Sequence, residues 1–145
     1  MDDRDKQIEE FCSLCKMFMS PSNEEELRGE FPRIYKLTSM EVGIINMVYS
    51  SEDVILKEIC TELDIPKSTL TSAIDRLERM NYINRIISTR DRRSYGLKLT
   101  EEGYSVRNEQ LAFERRLYGY LLNALDTNEE RELLMQLLRK IVKNI

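Results

Sequence analysis

Histidine and tryptophan are absent from this sequence of 145 residues, and glycine, proline and cysteine are scarce. Without histidine, the chain can form neither a Ser-His or Cys-His catalytic pair nor an imidazole metal site. The five glycines and three prolines leave little room for long loops, which favours a helical protein. The three cysteines, an odd number, argue against a disulfide framework and for a reducing compartment. No metal ion and no cofactor are therefore expected.

Long apolar runs are also missing from the sequence. No segment approaches the roughly 18 apolar residues that a membrane-spanning helix needs. The N-terminal residues MDDRDKQIEE are too acidic and polar for a signal peptide. These features predict a cytoplasmic protein with no membrane partner. The length is typical of one domain, so residues 1–145 are predicted to form a single one.

Positive charge is concentrated in one quarter of the chain. The formal net charge is -4, but residues 65–99 carry 8 basic and 3 acidic side chains, whereas residues 1–64 carry 7 basic and 15 acidic ones. A basic segment inside an acidic protein indicates a local binding surface for a polyanion. A solvated basic surface without a partner is the alternative interpretation.

A helix with two unlike faces begins this basic segment. In PKSTLTSAIDRLERM, Leu70, Ile74 and Leu77 recur at helical spacing and are predicted to pack inward. The opposite face is small, hydroxylated and basic, with Lys67, Ser68, Thr71, Ser72, Asp75, Arg76 and Arg79. Two helices are predicted before it. One begins with a capping box formed by Thr38 and Glu41, and a short one spans VILKEICTELDI.

Beyond this helix the apolar period changes to two. Tyr95, Leu97 and Leu99 alternate with small or polar residues, which predicts a half-buried strand, and residues 83–88 are the predicted partner strand. The residues TRDRRS between them, 89–94, are the predicted tip of a β-hairpin. The arginines of this segment therefore lie on a projecting loop.

The order of these elements is typical of a winged helix-turn-helix, so the predicted fold is mainly α with a small β-hairpin. A helix fits the major groove of DNA, which is about 12 Å wide, and short polar side chains let it approach base edges and phosphates. A hairpin beside it can place arginines in the minor groove, where negative potential is focused. The sequence therefore predicts a protein that binds double-stranded DNA. It contains no nucleophile–base pair, metal set or phosphate loop, which argues against an enzyme.

Residues 56–85, LKEICTELDIPKSTLTSAIDRLERMNYINR, and residues 91–103, DRRSYGLKLTEEG, resemble the MarR family of bacterial transcription regulators. The second segment matches the family's D-x-R-[ST] wing motif at Asp91, Arg93 and Ser94, and its L-T-x-x-G helix start at Leu99, Thr100 and Gly103. The resemblance implies a homodimeric transcription regulator, a repressor that responds to a small ligand or a stress signal. Such a dimer would bind a pseudo-palindromic operator, with a recognition helix in the major groove and wing arginines in the minor groove.

The resemblance also implies which residues contact DNA. On the recognition helix they are Lys67, Ser68, Thr69, Thr71, Ser72 and Arg76, and on the wing they are Arg90, Asp91, Arg92, Arg93 and Ser94. Asp91 is expected to hold the wing by pairing with an arginine. Asn81 stands where the family commonly has glycine, and asparagine accepts the left-handed conformation that this position would need.

The segments on either side of the winged helix, residues 38–100, are expected to form the dimer interface. These are residues 1–37 and 101–145, and both carry apolar stripes at helical spacing. The stripe of the last helix is too wide for one neighbouring helix, with Leu133, Leu134, Leu137, Leu138, Ile141, Val142 and Ile145. A second copy of the chain would cover it.

The cysteines allow two interpretations. Cys12 and Cys15 could form a redox switch, because the family's peroxide sensors bear cysteines in the N-terminal helix. Both residues lie in an apolar stripe, however, where cysteine acts as a small hydrophobe. Cys60 is a weaker redox candidate. Two cysteines on adjacent helical turns do not have the spacing of a zinc site.

Many family members bind a small amphipathic effector between the DNA-binding lobe and the dimer helices. Met40, Met47, Tyr49, Phe11 and Phe18 are the candidates to line such a cleft, although methionine and aromatic residues at helical spacing belong to a core more often. A winged helix that binds protein rather than DNA is the alternative function. It predicts no salt-dependent binding of nucleic acid, and the basic segment argues against it.

Overall fold

The computed structural model of the protein describes residues 2–18, 20, 23–51 and 53–145. Residues 1–36 and 37–145 form two compact units. The predicted winged-helix lobe, residues 38–100, lies within the second unit, which also contains residues 101–145. The assignment of residues 1–37 and 101–145 to dimerisation stays a prediction.

The described residues of the first unit form two helices and a short 3-10 helix. Helix α1 spans Asp3–Phe18, α2 spans Glu24–Glu30, and the 3-10 helix spans Ile34–Lys36. The apolar stripe predicted for the N-terminal helix is present on α1 and exposed, since Phe11 is 63% exposed and Phe18 56%.

The second unit holds the predicted winged helix followed by two long helices. Its elements are α3 (Ser39–Ser50), β1 (Val54–Ile55), α4 (Leu56–Leu63), α5 (Lys67–Arg79), β2 (Ile83–Ile87), β3 (Tyr95–Leu99), α6 (Glu101–Asn123) and α7 (Asn128–Asn144). No helix in the described part of the chain is long and apolar enough to cross a membrane.

The sheet has three strands rather than the two of a simple hairpin. Strands β2 and β3 form the predicted antiparallel hairpin, with Ile83 opposite Leu99 and Ile87 opposite Tyr95. Strand β1 pairs with the other edge of β3, so the order is β1-β3-β2. The prediction that residues 54–65 are one short helix was wrong at its start. Val54 and Ile55 form β1, and α4 begins at Leu56.

The core of the second unit lies between α3, α4, α5 and the inner face of the sheet. Leu70, Ile74 and Leu77 of α5 are fully buried, as their spacing predicts. They share the core with Ile44, Ile59, Ile83, Leu97 and Val106. Burying these apolar side chains fixes which face of α5 points outward, and that face carries the hydroxyl and basic residues.

Three local features fix the ends of the elements of the winged helix. Thr38 and Glu41 form the predicted capping box at the start of α3. Asn81 has a φ of 60°, so the expected left-handed turn between α5 and β2 is confirmed. At the start of α6, a Cβ on Gly103 would lie 2.0 Å from the carbonyl oxygen of Tyr82, so this position requires glycine. The same carbonyl accepts the N–H of Thr100 at 3.1 Å.

Candidate nucleic-acid interface

The outer face of α5 carries most of the side chains predicted for the recognition helix. Lys67, Ser68 and Ser72 are exposed, and Thr69 and Thr71 are half-buried. The hydroxyl of Thr71 donates to the carbonyl of Lys67 at 2.9 Å, and that of Ser72 donates to the carbonyl of Ser68 at 3.1 Å. With their protons used in this way, both hydroxyls face solvent as hydrogen-bond acceptors.

Arg76, the last residue predicted for the recognition helix, is held by α3. One nitrogen of its guanidinium, Nη1, donates to both carboxylate oxygens of Glu41, whose side chain is buried. Burial works to raise the pKa of the Glu41 carboxyl, but the hydrogen bonds from Arg76 and Thr38 outweigh it and hold that pKa below its usual value. Arg76 therefore fixes α5 against α3, and a contact with DNA stays a prediction for it.

Arg85, on β2, likewise forms ion pairs within the protein. Its guanidinium pairs with both Asp75 and Glu78 of α5, and its backbone N–H donates to Glu78 at 3.1 Å. The guanidinium also lies 5.3 Å from the ring centroid of Tyr95. These contacts tie the recognition helix to the hairpin.

The loop between β2 and β3, residues 88–94, is the wing, and its first half is anchored to Asp53, which precedes β1, and to Glu58 of α4. One oxygen of the Asp53 carboxylate accepts hydrogen bonds from Ser88, Thr89 and Arg90. The guanidinium of Arg90 pairs with Glu58 at 2.7 Å. The Thr89 hydroxyl is the main cause that lowers the pKa of Asp53, and Arg90 is the main cause that lowers that of Glu58. Both carboxylates are therefore charged at neutral pH.

Asp91 holds the second half of the wing, but not through an arginine side chain as expected. Its carboxylate accepts the backbone N–H of Arg93 at 2.9 Å and the hydroxyl of Ser94 at 3.3 Å. A carboxylate followed two residues later by a backbone N–H is the usual Asx turn, in which aspartate closes a tight loop on itself. The guanidinium that holds the wing belongs to Arg90, and its partner is Glu58.

Three predicted cationic side chains keep their charge exposed. Lys67, Arg92 and Arg93 are exposed and form no ion pair within the described part of the chain. Lys67 and Arg93 line the same cleft of about 380 Å³, together with Ser94 and Tyr95. The structure thus brings the start of the recognition helix and the wing together on one surface.

The three cysteine thiols are free. Cys12 is exposed on α1, while Cys15 and Cys60 are half-buried. The redox role considered for Cys12 and Cys15 stays a prediction. Cys60 lies on α4 and lines the cleft that Lys67 and Arg93 share.

Sequence comparisons place this fold in a known family. A model of the MarR family matches residues 37–95. The HTH-type transcriptional regulator PecS of Dickeya dadantii is 30% identical over 118 residues, which cover 77% of this chain and 68% of PecS. The chain belongs to the MarR family. As a member it is a transcription regulator of the helix-turn-helix type and not an enzyme.

Solved structures of bacterial proteins have the same fold. The YusO protein of Bacillus subtilis has a TM-score of 0.79 at 24% identity, and the likeness covers 100% of both chains. FabT of Streptococcus pneumoniae, solved in complex with DNA, has a TM-score of 0.73 at 24% identity and is covered to 94%, against 95% of this chain. The predicted winged helix-turn-helix, mainly α with a small sheet, is confirmed.

The residues that sequence reasoning missed are the carboxylates that hold the basic segment in place. Glu41, Asp53 and Glu58 each bind an arginine or the wing backbone, yet they lie outside the basic segment itself. Only Glu41 gave a signal in the sequence, as part of a capping box. Asp53 and Glu58 precede Arg90 by 37 and 32 residues, so no local pattern connects them with the wing.

Proposed function

We propose that this MarR-family protein is a cytoplasmic, homodimeric repressor that binds a pseudo-palindromic DNA operator. The α5 helices of the dimer enter successive major grooves, about 34 Å apart, while Arg92 and Arg93 of each wing enter the adjacent minor grooves. A small amphipathic ligand or a stress signal changes the affinity of the protein for this operator, as the family resemblance implies.

The observation that carries the proposal is the set of exposed cations shared by α5 and the wing. Lys67 and Arg93 come from elements 26 residues apart in the sequence and line one cleft. Neither has a carboxylate partner in the described residues, although carboxylates neutralise Arg76, Arg85 and Arg90 nearby. Phosphate groups of a DNA duplex are suitable counter-ions for such a surface.

Exposed apolar stripes support the dimer. In α7, Leu137, Ile141 and Val142 are 51%, 50% and 72% exposed. Exposed apolar side chains repeated along one helix are typical of a protein–protein contact, and symmetric pairing of identical chains is its commonest form. Two identical DNA-binding lobes in turn require an operator with inverted half-sites.

Selection from a pool of random duplex DNA tests this function. We expect an enriched inverted repeat, with half-sites one helical turn apart, and an affinity that falls steeply between 50 and 200 mM salt because counter-ions are released from phosphates. Absence of any enriched sequence, together with binding that salt does not affect, would contradict it. That outcome would favour the alternative of a winged helix that binds protein.

A further inference from the structure

We propose that Asp53 is a positioning residue of the DNA interface. Its carboxylate fixes the first half of the wing, so that Arg92 and Arg93 are held ready for the minor groove, while Asp53 itself does not touch DNA. The inference deepens the DNA-binding function proposed above and rests on it.

The anchor consists of four hydrogen bonds to one oxygen. Oδ2 of Asp53 accepts the hydroxyl of Ser88 at 3.0 Å, the N–H and the hydroxyl of Thr89 at 2.8 Å each, and the N–H of Arg90 at 3.2 Å. The Arg90 guanidinium also donates to the backbone carbonyl of Asp53 at 3.1 Å. Three consecutive wing residues are therefore bound to the residue that precedes β1.

Hydrogen bonds continue from this anchor toward the tip. The buried hydroxyl oxygen of Ser88 accepts the N–H groups of Arg90 and Asp91, both at 3.2 Å. Asp91 then accepts the N–H of Arg93. The backbone that carries Arg92 and Arg93 is in this way connected, bond by bond, to Asp53.

Packing against Gly96 holds the other oxygen of the carboxylate. A Cβ on Gly96 would lie 2.5 Å from Oδ1 of Asp53, so the strand β3 leaves space for the carboxylate only because this residue is glycine. Oδ1 is buried and has no hydrogen-bond partner among the described residues. Gly96→Ala would therefore displace the carboxylate without changing the charge of the protein.

Because Asp53 is negatively charged, an effect on the order of the wing can be distinguished from an effect of charge on DNA binding. An acid beside a DNA-binding surface repels phosphates, so its removal should strengthen binding if charge alone matters. If Asp53 orders the wing, its removal should weaken binding. The loop would then be ordered only when DNA binds, and the conformational entropy lost in that step would lower the affinity. The two explanations predict opposite signs.

The test compares the affinities of Asp53→Ala, Asp53→Asn and Gly96→Ala with that of the wild type, on the duplex obtained by selection. We expect Asp53→Ala and Gly96→Ala to bind about tenfold more weakly and Asp53→Asn to lie between them and the wild type, because asparagine keeps one acceptor oxygen. Glu62→Ala is the matched control. Glu62 is an exposed acid of α4 with no ion pair in the described residues, so its loss should leave binding unchanged or slightly tighter.

A second comparison shows whether the effect passes through the wing arginines. In the Arg92→Ala/Arg93→Ala background, we expect Asp53→Ala to change affinity by less than about twofold, since coupled residues are not additive. If Asp53→Ala reduces the affinity equally in both backgrounds, or if Asp53→Ala binds as tightly as the wild type, the role inferred for Asp53 is wrong. The proposed DNA-binding function would still stand. If the wild type shows no sequence-specific duplex binding, the proposed function fails and the inference fails with it. Thermal unfolding of each variant identifies any that does not fold, and Asp53→Asn then carries the test.

Discussion

At the scale of single residues, the four arginines between residues 85 and 93 have two kinds of surroundings. Arg85 and Arg90 form ion pairs with carboxylates of α5 and α4. Arg92 and Arg93 are exposed and form none within the described residues. The excess positive charge of residues 65–99 is thus partly neutralised by the fold. The charge that remains available includes the tip of the wing and Lys67.

Thr71 gives a prediction at the same scale. Its hydroxyl proton is bound to the carbonyl of Lys67, so its oxygen can only accept from a base and its methyl can contact a thymine. Thr71→Val keeps the shape and removes the oxygen. We expect a changed preference at one base pair of each half-site, by up to about 1–3 kcal/mol, with the other positions unaffected.

Competition with singly substituted duplexes measures this preference. Thr61→Val is the matched control, because Thr61 makes the same bond to a carbonyl four residues earlier, at 2.9 Å, but lies on α4. A uniform loss of affinity for every duplex would show that Thr71 contacts the backbone of DNA and not a base.

At the scale of elements, the pair of Glu41 and Arg76 joins α3 to the recognition helix. The pKa of Glu41 is lowered in the folded protein, so its contribution to stability is fully present above the pKa of the unfolded carboxyl, about 4.3. That contribution is lost as the pH falls through the lower, folded value. The sign follows from the charged carboxylate being the form that the fold stabilises.

Glu41→Gln tests this contact. At pH 7 we expect the free energy of unfolding to fall by about 1.5–3 kcal/mol, the usual value of a hydrogen bond to a charged group. The difference from the wild type should stay constant down to about pH 5 and shrink as the pH falls below the pKa of the unfolded carboxyl, about 4.3. Urea unfolding at several pH values measures it, with Glu62→Gln as the exposed control. A difference that is the same at every pH would contradict the assigned ion pair.

Elements with a repeated apolar pattern could be predicted from the sequence, whereas a short strand and distant ion pairs could not. The stripe of Leu70, Ile74 and Leu77 and the alternation of Tyr95, Leu97 and Leu99 predict α5 and β3 because each repeats over several residues. Strand β1 has only two residues, too few for a period, and exists because β3 offers it an edge. The partners of Arg76 and Arg90 lie 35 and 32 residues away, so only the folded chain reveals them.

At the scale of the whole molecule, the proposed dimer depends on α7. Ile141→Asp places a charge in its exposed apolar stripe. We expect dissociation to monomers with the fold of each chain preserved, because Ile141 is already half exposed in one chain. Specific DNA binding should be lost as well, since a single lobe contacts only one half-site.

Light scattering coupled to size-exclusion chromatography measures the mass, and circular dichroism checks the helices. Gln136→Asp is the control, since Gln136 is an exposed polar residue of the same helix. If the Ile141→Asp variant is still a dimer, the exposed stripe of α7 does not form the dimer interface.

The most direct measurement of the central claim is the salt dependence of duplex binding for the wild type and for Arg92→Ala/Arg93→Ala. We expect the double variant to bind the selected inverted repeat more weakly, with a slope of log affinity against log salt that is shallower by up to about 4, because a dimer loses four cationic contacts. Arg139→Ala/Lys140→Ala, which removes the same charge from α7, should leave the slope unchanged. Equal slopes for the wild type and the wing variant would contradict the account, because the exposed arginines of the wing would then not contact DNA.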